Sequence, residues 1–213
     1  GGVTVLGYLD SPLYVQMPAF NNLTSADNRI DLQTQLAVKA MGSEALLREG
    51  GLCSLDETWR CAFGADRMPL LQTPYLLVTS VYDEYQLVVG EGASLRFAGC
   101  FPEPHCEYFR YAEEFASATR RSLETLPQLR NGTAGLWASS CYDHSVSLDG
   151  RFSLQHVSGV SRADSLLQAV RAVTHPGEAK MPLVVPNCES FNCGAECPAL
   201  PTARCGCYAG DGP

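Results

Sequence analysis

One stretch of the chain is apolar almost without interruption, and the rest is patterned around it. Tyr75 to Tyr82 has the character of a strand buried on both faces of a parallel sheet, since nothing in it alternates. Leu136 to Ser140 reads as a second, shorter strand, Val3 to Tyr8 as a β-prone run ended by the turn signal Asp10-Ser-Pro12, and Met181 to Val185 as a last strand. Helical spacing takes over elsewhere. Leu32, Leu36, Ala40 and Leu47 predict one helix that stops at Gly50-Gly51. The longest helix is expected over Glu107 to Leu126, where Tyr108, Tyr111, Phe115, Ala118, Ser122 and Leu126 form one stripe. Ser161 to Asp164 matches a capping box that opens a helix over Ala163 to Thr174, closed by His175-Pro176. Residues 16 to 31 read as a polar surface loop, and the segment from Cys188 onward as irregular chain under disulfide restraint. Strands alternating with helices make an α/β sheet the natural class, with no internal repeat. The strands are too few for a complete doubly wound sheet, so the remaining strands are expected on an upstream segment or a companion chain.

Composition narrows the setting. At 213 residues and 46% hydrophobic, the chain can build a core, as one domain or most of one. A formal charge of -8 argues against nucleic acid as a partner, because that surface needs clustered Lys and Arg. No apolar stretch reaches the roughly 18 residues that would span a bilayer. The ten cysteines, Cys53, Cys61, Cys100, Cys106, Cys141, Cys188, Cys193, Cys197, Cys205 and Cys207, are disulfide candidates. With the sequons at Asn22-Leu-Thr24 and Asn131-Gly-Thr133 they favour a secreted or lumenal protein. The start has no signal peptide and reads as interior sequence, so an N-terminal part of the precursor is expected outside this chain. Cys53 to Cys61 reads as a loop closed by a disulfide, but pairing does not follow from spacing in general. A zinc site is the rival reading of the cluster from Cys188 to Cys207, and its irregular spacing with no nearby histidine favours disulfides.

Asp83 and His144 each follow a predicted strand, where an open α/β sheet gathers its functional groups. Their order, Asp then His, is that of the last two members of an α/β-hydrolase triad, but the chain holds no Gly-x-Ser-x-Gly. Asp83 reads equally as a helix N-cap and His144 as a loop histidine. Other groups carry less. Asp143 adjoins His144 too closely to orient its ring, and Ser139 and Ser140 are too near it in sequence to be its nucleophile. Asp10-Ser11 lacks a glycine elbow. His105 sits in a constrained loop, His156 in a strand-like stretch, and His175 at a helix end that favours a cation.

Four segments resemble the pectin acetylesterase and Notum family of carboxylesterases: Trp59-Arg-Cys61-Ala-Phe63-Gly64, Thr73 to Leu87 with Asp83 and Gln86, Ser140-Cys141-Tyr-Asp-His144, and Pro182 to Pro198 with its three cysteines. Val3 to Val15 is similar to the strand and turn that follow that family's nucleophile helix, although Pro12 stands where the family has a small residue. The resemblance implies the C-terminal portion of one α/β-hydrolase domain over residues 1–213, with residues 188–213 as a Cys-rich tail. It also implies secretion, several disulfides, Asp83 as the acid and His144 as the base. The family's Gly-x-Ser-Ala-Gly-Gly elbow and its oxyanion-hole glycines would lie upstream, and Gly1-Gly2 is read as a coincidence with that elbow. Ester hydrolysis through an acyl-enzyme is the implied reaction, on an O-acetylated polysaccharide or an O-acylated protein, with no cofactor or metal. The competing expectation is a hydrolase fold without a nucleophile, kept as a scaffold in an extracellular assembly.

Overall fold

The computed structural model describes residues 4–18, 20, 30–49, 57–87, 101–102, 106–144, 147, 152–197 and 204–205. Strand β1 spans Gly7–Asp10, later than the run expected from Val3 to Tyr8. The shift follows from its parallel partner: Gly7 N–H donates to Pro74 C=O at 2.8 Å, and Gly7 to Asp10 pair with Tyr75 to Val78. The single helix expected over Leu32 to Leu47 is two, α1 (Ile30–Ala40) and α2 (Glu44–Glu49). Gly42, at φ 61°, makes the break. Gly42 N–H donates to Lys39 C=O and Ser43 N–H to Val38 C=O, the double closure of a Schellman turn.

A 3-10 turn at Thr58–Ala62 leads into the one-turn helix α3 (Gly64–Arg67) and then β2 (Tyr75–Asp83), whose nine residues are all buried. A two-residue strand β3 (Phe101–Pro102) precedes α4 (Glu107–Thr125) and α5 (Pro127–Arg130). On α4 the buried stripe runs Tyr108, Ala112, Phe115, Ala116, Thr119, Leu123. It shares Tyr108 and Phe115 with the expected stripe, whose Leu126 is buried just past the helix end and whose Tyr111 and Ala118 pack at the margin, and it recruits small residues, which let the helix lie close to the sheet. Strand β4 (Ala134–Asp143) is twice the expected length. After the hairpin of β5 (His156–Val157) and β6 (Val160–Ser161), α6 (Arg162–Thr174) begins with the capping box that the sequence predicts: Ser161 Oγ accepts Asp164 N–H at 3.0 Å, and Asp164 Oδ2 accepts Ser161 N–H at 3.3 Å. Strand β7 is Leu183–Val184. The tail is not wholly irregular, since β8 (Arg204–Cys205) pairs with β3.

The main sheet is parallel throughout, in the order β1-β2-β4-β7. Alternate residues serve two cores. Tyr75, Leu77, Ala134 and Leu136 pack with Phe115 and Leu123 of α4, while Leu76, Val78 and Trp137 pack with Ala169 of α6. Cover on both faces is why β2 shows no polar alternation. Among the described residues β1 has a strand on one side alone, so its outer edge is open. No described helix is long and apolar enough to cross a membrane.

Candidate functional site

One irregularity in the sheet sets the site. Ser80 pairs with Ser139 but Tyr82 with Tyr142, so Ser140 and Cys141 together oppose Val81. This bulge advances the register by one residue and brings Asp83 level with Asp143, immediately before His144. The backbone groups it disturbs find partners. Ser80 Oγ donates to Cys141 C=O and accepts Tyr82 N–H, and Tyr142 N–H donates to Asn192 Oδ1 at 2.8 Å. Asn192 belongs to the Cys-rich tail, which is fastened to the same place by the disulfide Cys141–Cys197 and closed on itself by Cys188–Cys193.

Asp83 is 1% exposed and uses both oxygens. Oδ1 accepts Gln86 N–H at 2.9 Å, capping the helical turn that follows β2, and Oδ2 lies 2.8 Å from His144 Nδ1. The N-cap reading of Asp83 and the pairing with histidine are therefore both correct descriptions of one side chain. Gln86 in turn holds the segment after β1: its Oε1 accepts Val15 N–H at 2.9 Å and its Nε2 donates to Leu13 C=O at 3.0 Å.

His144 is partly exposed, with its backbone N–H on Asp143 Oδ1 at 2.9 Å and its ring stacked on Tyr85 at 5.0 Å. Its Nε2 has no hydrogen-bond partner among the described residues. Burial lowers the imidazole pKa, but the hydrogen bond and charge of Asp83, with the charges of Asp10 and Asp143, outweigh it and leave the value above that of a free histidine. Tyr14 stands beside Tyr85, and its phenol is pushed up to about 12, mainly by burial and then by the charges of Asp83 and Tyr85. It is a neutral hydroxyl at any working pH.

The other sequence candidates lie apart or serve the fold. His156 and His175 are exposed, with Nδ1 on Leu154 C=O and Thr174 Oγ1 respectively. Ser139 and Ser140 are buried within β4, and Ser140 Oγ donates to Cys188 C=O. Asn131 is exposed in the turn before β4, its Oδ1 accepting from Thr133 N–H and Oγ1. Cys61 and Cys106 are disulfide-bonded as well. Cys53, Cys100, Cys207, His105 and Asn22, and the side chain of Cys205, lie outside the described residues. Cys141, Glu196 and Cys197 form the one cluster of metal-ligand type among the described residues, and both its sulfurs are in a disulfide. A cavity of about 480 Å³ between α4 and β7 is lined by Val81, Leu123, Leu136 and Leu183, and by neither Asp83 nor His144.

Two features of the site went unread in the sequence. Tyr85 covers the imidazole, and Asp10 accepts Ser147 N–H at 3.0 Å, three residues beyond His144. Asp10 had the same signal as Asp83, an acidic residue closing a strand.

No family model and no curated protein sequence matches this chain. Among solved structures, the Wnt deacylase Notum from Drosophila superposes on 92% of it in two crystal forms, with TM-scores of 0.67 and 0.68 at 21% and 20% identity. The fold is that of Notum. It agrees with the resemblance carried by the Trp59–Gly64, Thr73–Leu87, Ser140–His144 and Pro182–Pro198 segments, and with the α/β class read from the strand and helix pattern. The chain spans about half the length of the Notum chains it matches, 49% and 50%.

Proposed function

We propose that this chain supplies the acid and base of a serine carboxylesterase, with the nucleophile and oxyanion-hole donors on an upstream segment or a companion chain. The observation that carries the reading is the 2.8 Å contact between His144 Nδ1 and Asp83 Oδ2 at the ends of adjacent parallel strands. With Nδ1–H donated to Asp83, the proton is held off Nε2. Nε2 is then the atom that takes a serine proton during attack on an ester carbonyl and returns it to the leaving alcohol. Asp83 fixes the tautomer and stabilises the imidazolium.

Residues 1–213 then form the C-terminal portion of a single α/β-hydrolase domain. The open edge of β1 is where the missing part of the sheet would pair. The substrate class is an O-acylated protein or an O-acetylated glycan. The first is favoured by likeness to a protein described as a Wnt deacylase. The disulfides and the exposed Asn131 sequon support a secreted glycoprotein.

The test is fluorophosphonate labelling of the full-length native protein, with mass mapping of the labelled site. A labelled serine upstream of this chain, lost in His144→Ala, is the expected result. Absence of labelling overturns the esterase and leaves a hydrolase-fold scaffold.

A further inference from the structure

Three neighbouring parallel strands each end in an aspartate: β1 in Asp10, β2 in Asp83 and β4 in Asp143. Asp83 takes the imidazole and Asp143 the backbone N–H of His144. Asp10 reaches the same region from the third strand. Its Oδ2 accepts Ser147 N–H at 3.0 Å, its Oδ1 accepts Ser11 Oγ–H at 3.0 Å, and Tyr8 Oη lies 2.6 Å from Ser147 Oγ. Two consecutive turns of the β1 pleat thus grip one residue just past the histidine. The chain also leaves β1 sharply. Ser11 is buried with φ 55°, a left-handed conformation that is unfavourable for a non-glycine residue. Its N–H on Val78 C=O at 2.8 Å holds it there. Strain of this kind persists where the surroundings over-determine the geometry, and here it sits beside the carboxylate in question.

We propose that Asp10 is a positioning residue for His144, fixing Ser147 three residues past the histidine and adding a third negative charge to those of Asp83 and Asp143 at this end of the sheet. The inference rests on His144 being the base. Asp83 from β2 contacts the ring and the phenol of Tyr85 stacks on it, while Asp143 from β4 on its backbone N–H and Asp10 from β1 act on it through their charge. After burial, which opposes the charged ring, Asp83 acts most strongly, and Asp10 precedes Asp143.

The experiment is an NMR titration of the His144 Cε1–H resonance in the full-length protein. Asp10→Asn keeps an acceptor of the same size for Ser147 N–H and removes the charge, while Asp10→Ala removes both. The titration midpoint is expected to fall in both variants. Only Asp10→Ala is expected to lower kcat further, by about tenfold or more, with KM little changed, because displacement of a base from its reaction geometry is costly. An unchanged midpoint in Asp10→Asn overturns the proposal. So does an equal shift in Tyr8→Phe, which would assign the effect to packing around Ser147. The titration requires no turnover, so it reports on Asp10 even if labelling shows that the protein is not an esterase.

Discussion

His144 Nδ1 and Asp83 Oδ2 meet at 2.8 Å although 61 residues separate them, and the carboxylate that makes this contact also caps the turn that follows it. Rotation of Asp83 is restrained from both oxygens, so the ring has one orientation open to it. Asp83→Asn tests that restraint. The amide can still accept Gln86 N–H, but its NH₂ then faces Nδ1 and forces the ring proton onto Nε2. A fall of about 10⁴-fold in kcat against a chromogenic ester is expected in the full-length protein. The His144 NMR titration midpoint should fall with it.

The pH dependence has a defined sign. The folded-state pKa of His144 is raised, so the stability from its charged pair with Asp83 is fully present below the unfolded value of about 6.5. It is lost as pH rises through the folded value. The proposed esterase reaction would run the other way, since only the neutral ring accepts a proton. The acid limb of kcat/KM is expected above the free-histidine value of about 6.5, and in Asp83→Asn any residual activity should have its limb displaced to lower pH. An acid limb at or below about 6.5 in the unaltered protein would contradict this.

Gly64 closes the segment that resembles a family motif, and its backbone lies against the turn after β1. A Cβ there would stand 1.9 Å from Pro12 O and 3.0 Å from Leu13 Cα, both main-chain atoms. Gly64→Ala must displace the chain between Ser11 and Val15. A loss of about 3 kcal/mol is expected by urea denaturation, at the upper end of overpacking costs. Wild-type stability in this variant would refute the contact.

Asn192 ties the tail to the bulge beside the site. Its Oδ1 accepts Tyr142 N–H, and its backbone is left-handed at φ 45°. Asn192→Gly keeps the conformation and removes the acceptor, for an expected loss of about 2 kcal/mol. Asn192→Ala adds the backbone penalty, for a further loss of about 1 kcal/mol. Equal effects would mean that the hydrogen bond carries the whole of it.

Much of this arrangement is legible in the chain itself. The unbroken apolar run before Asp83 announces a strand buried on both faces. The capping box at Ser161 and Asp164 is a contact within four residues, and it forms as read. The break at Gly42 is equally local but is masked in the sequence, because the apolar spacing from Leu32 to Leu47 continues across it while the backbone does not. The spacing on α4 marked its face but misjudged its centre, since Ala112 and Ala116 enter the core by their small size and a hydrophobic stripe weighs them lightly.

The sequence by itself determined the α/β class, the buried strand before Asp83, the existence of a second strand at Leu136 to Ser140, and the residue types that stand beyond them, because these depend on patterns a few residues long. Only the tertiary structure decided that Ser140 and Cys141 bulge to bring Asp83 level with Asp143, that Cys141 pairs with Cys197, and that Asp10 reaches Ser147. Those contacts join residues 56 to 137 positions apart. Their geometry is set by how two cores fill the faces of one sheet, and no local spacing along the chain encodes it.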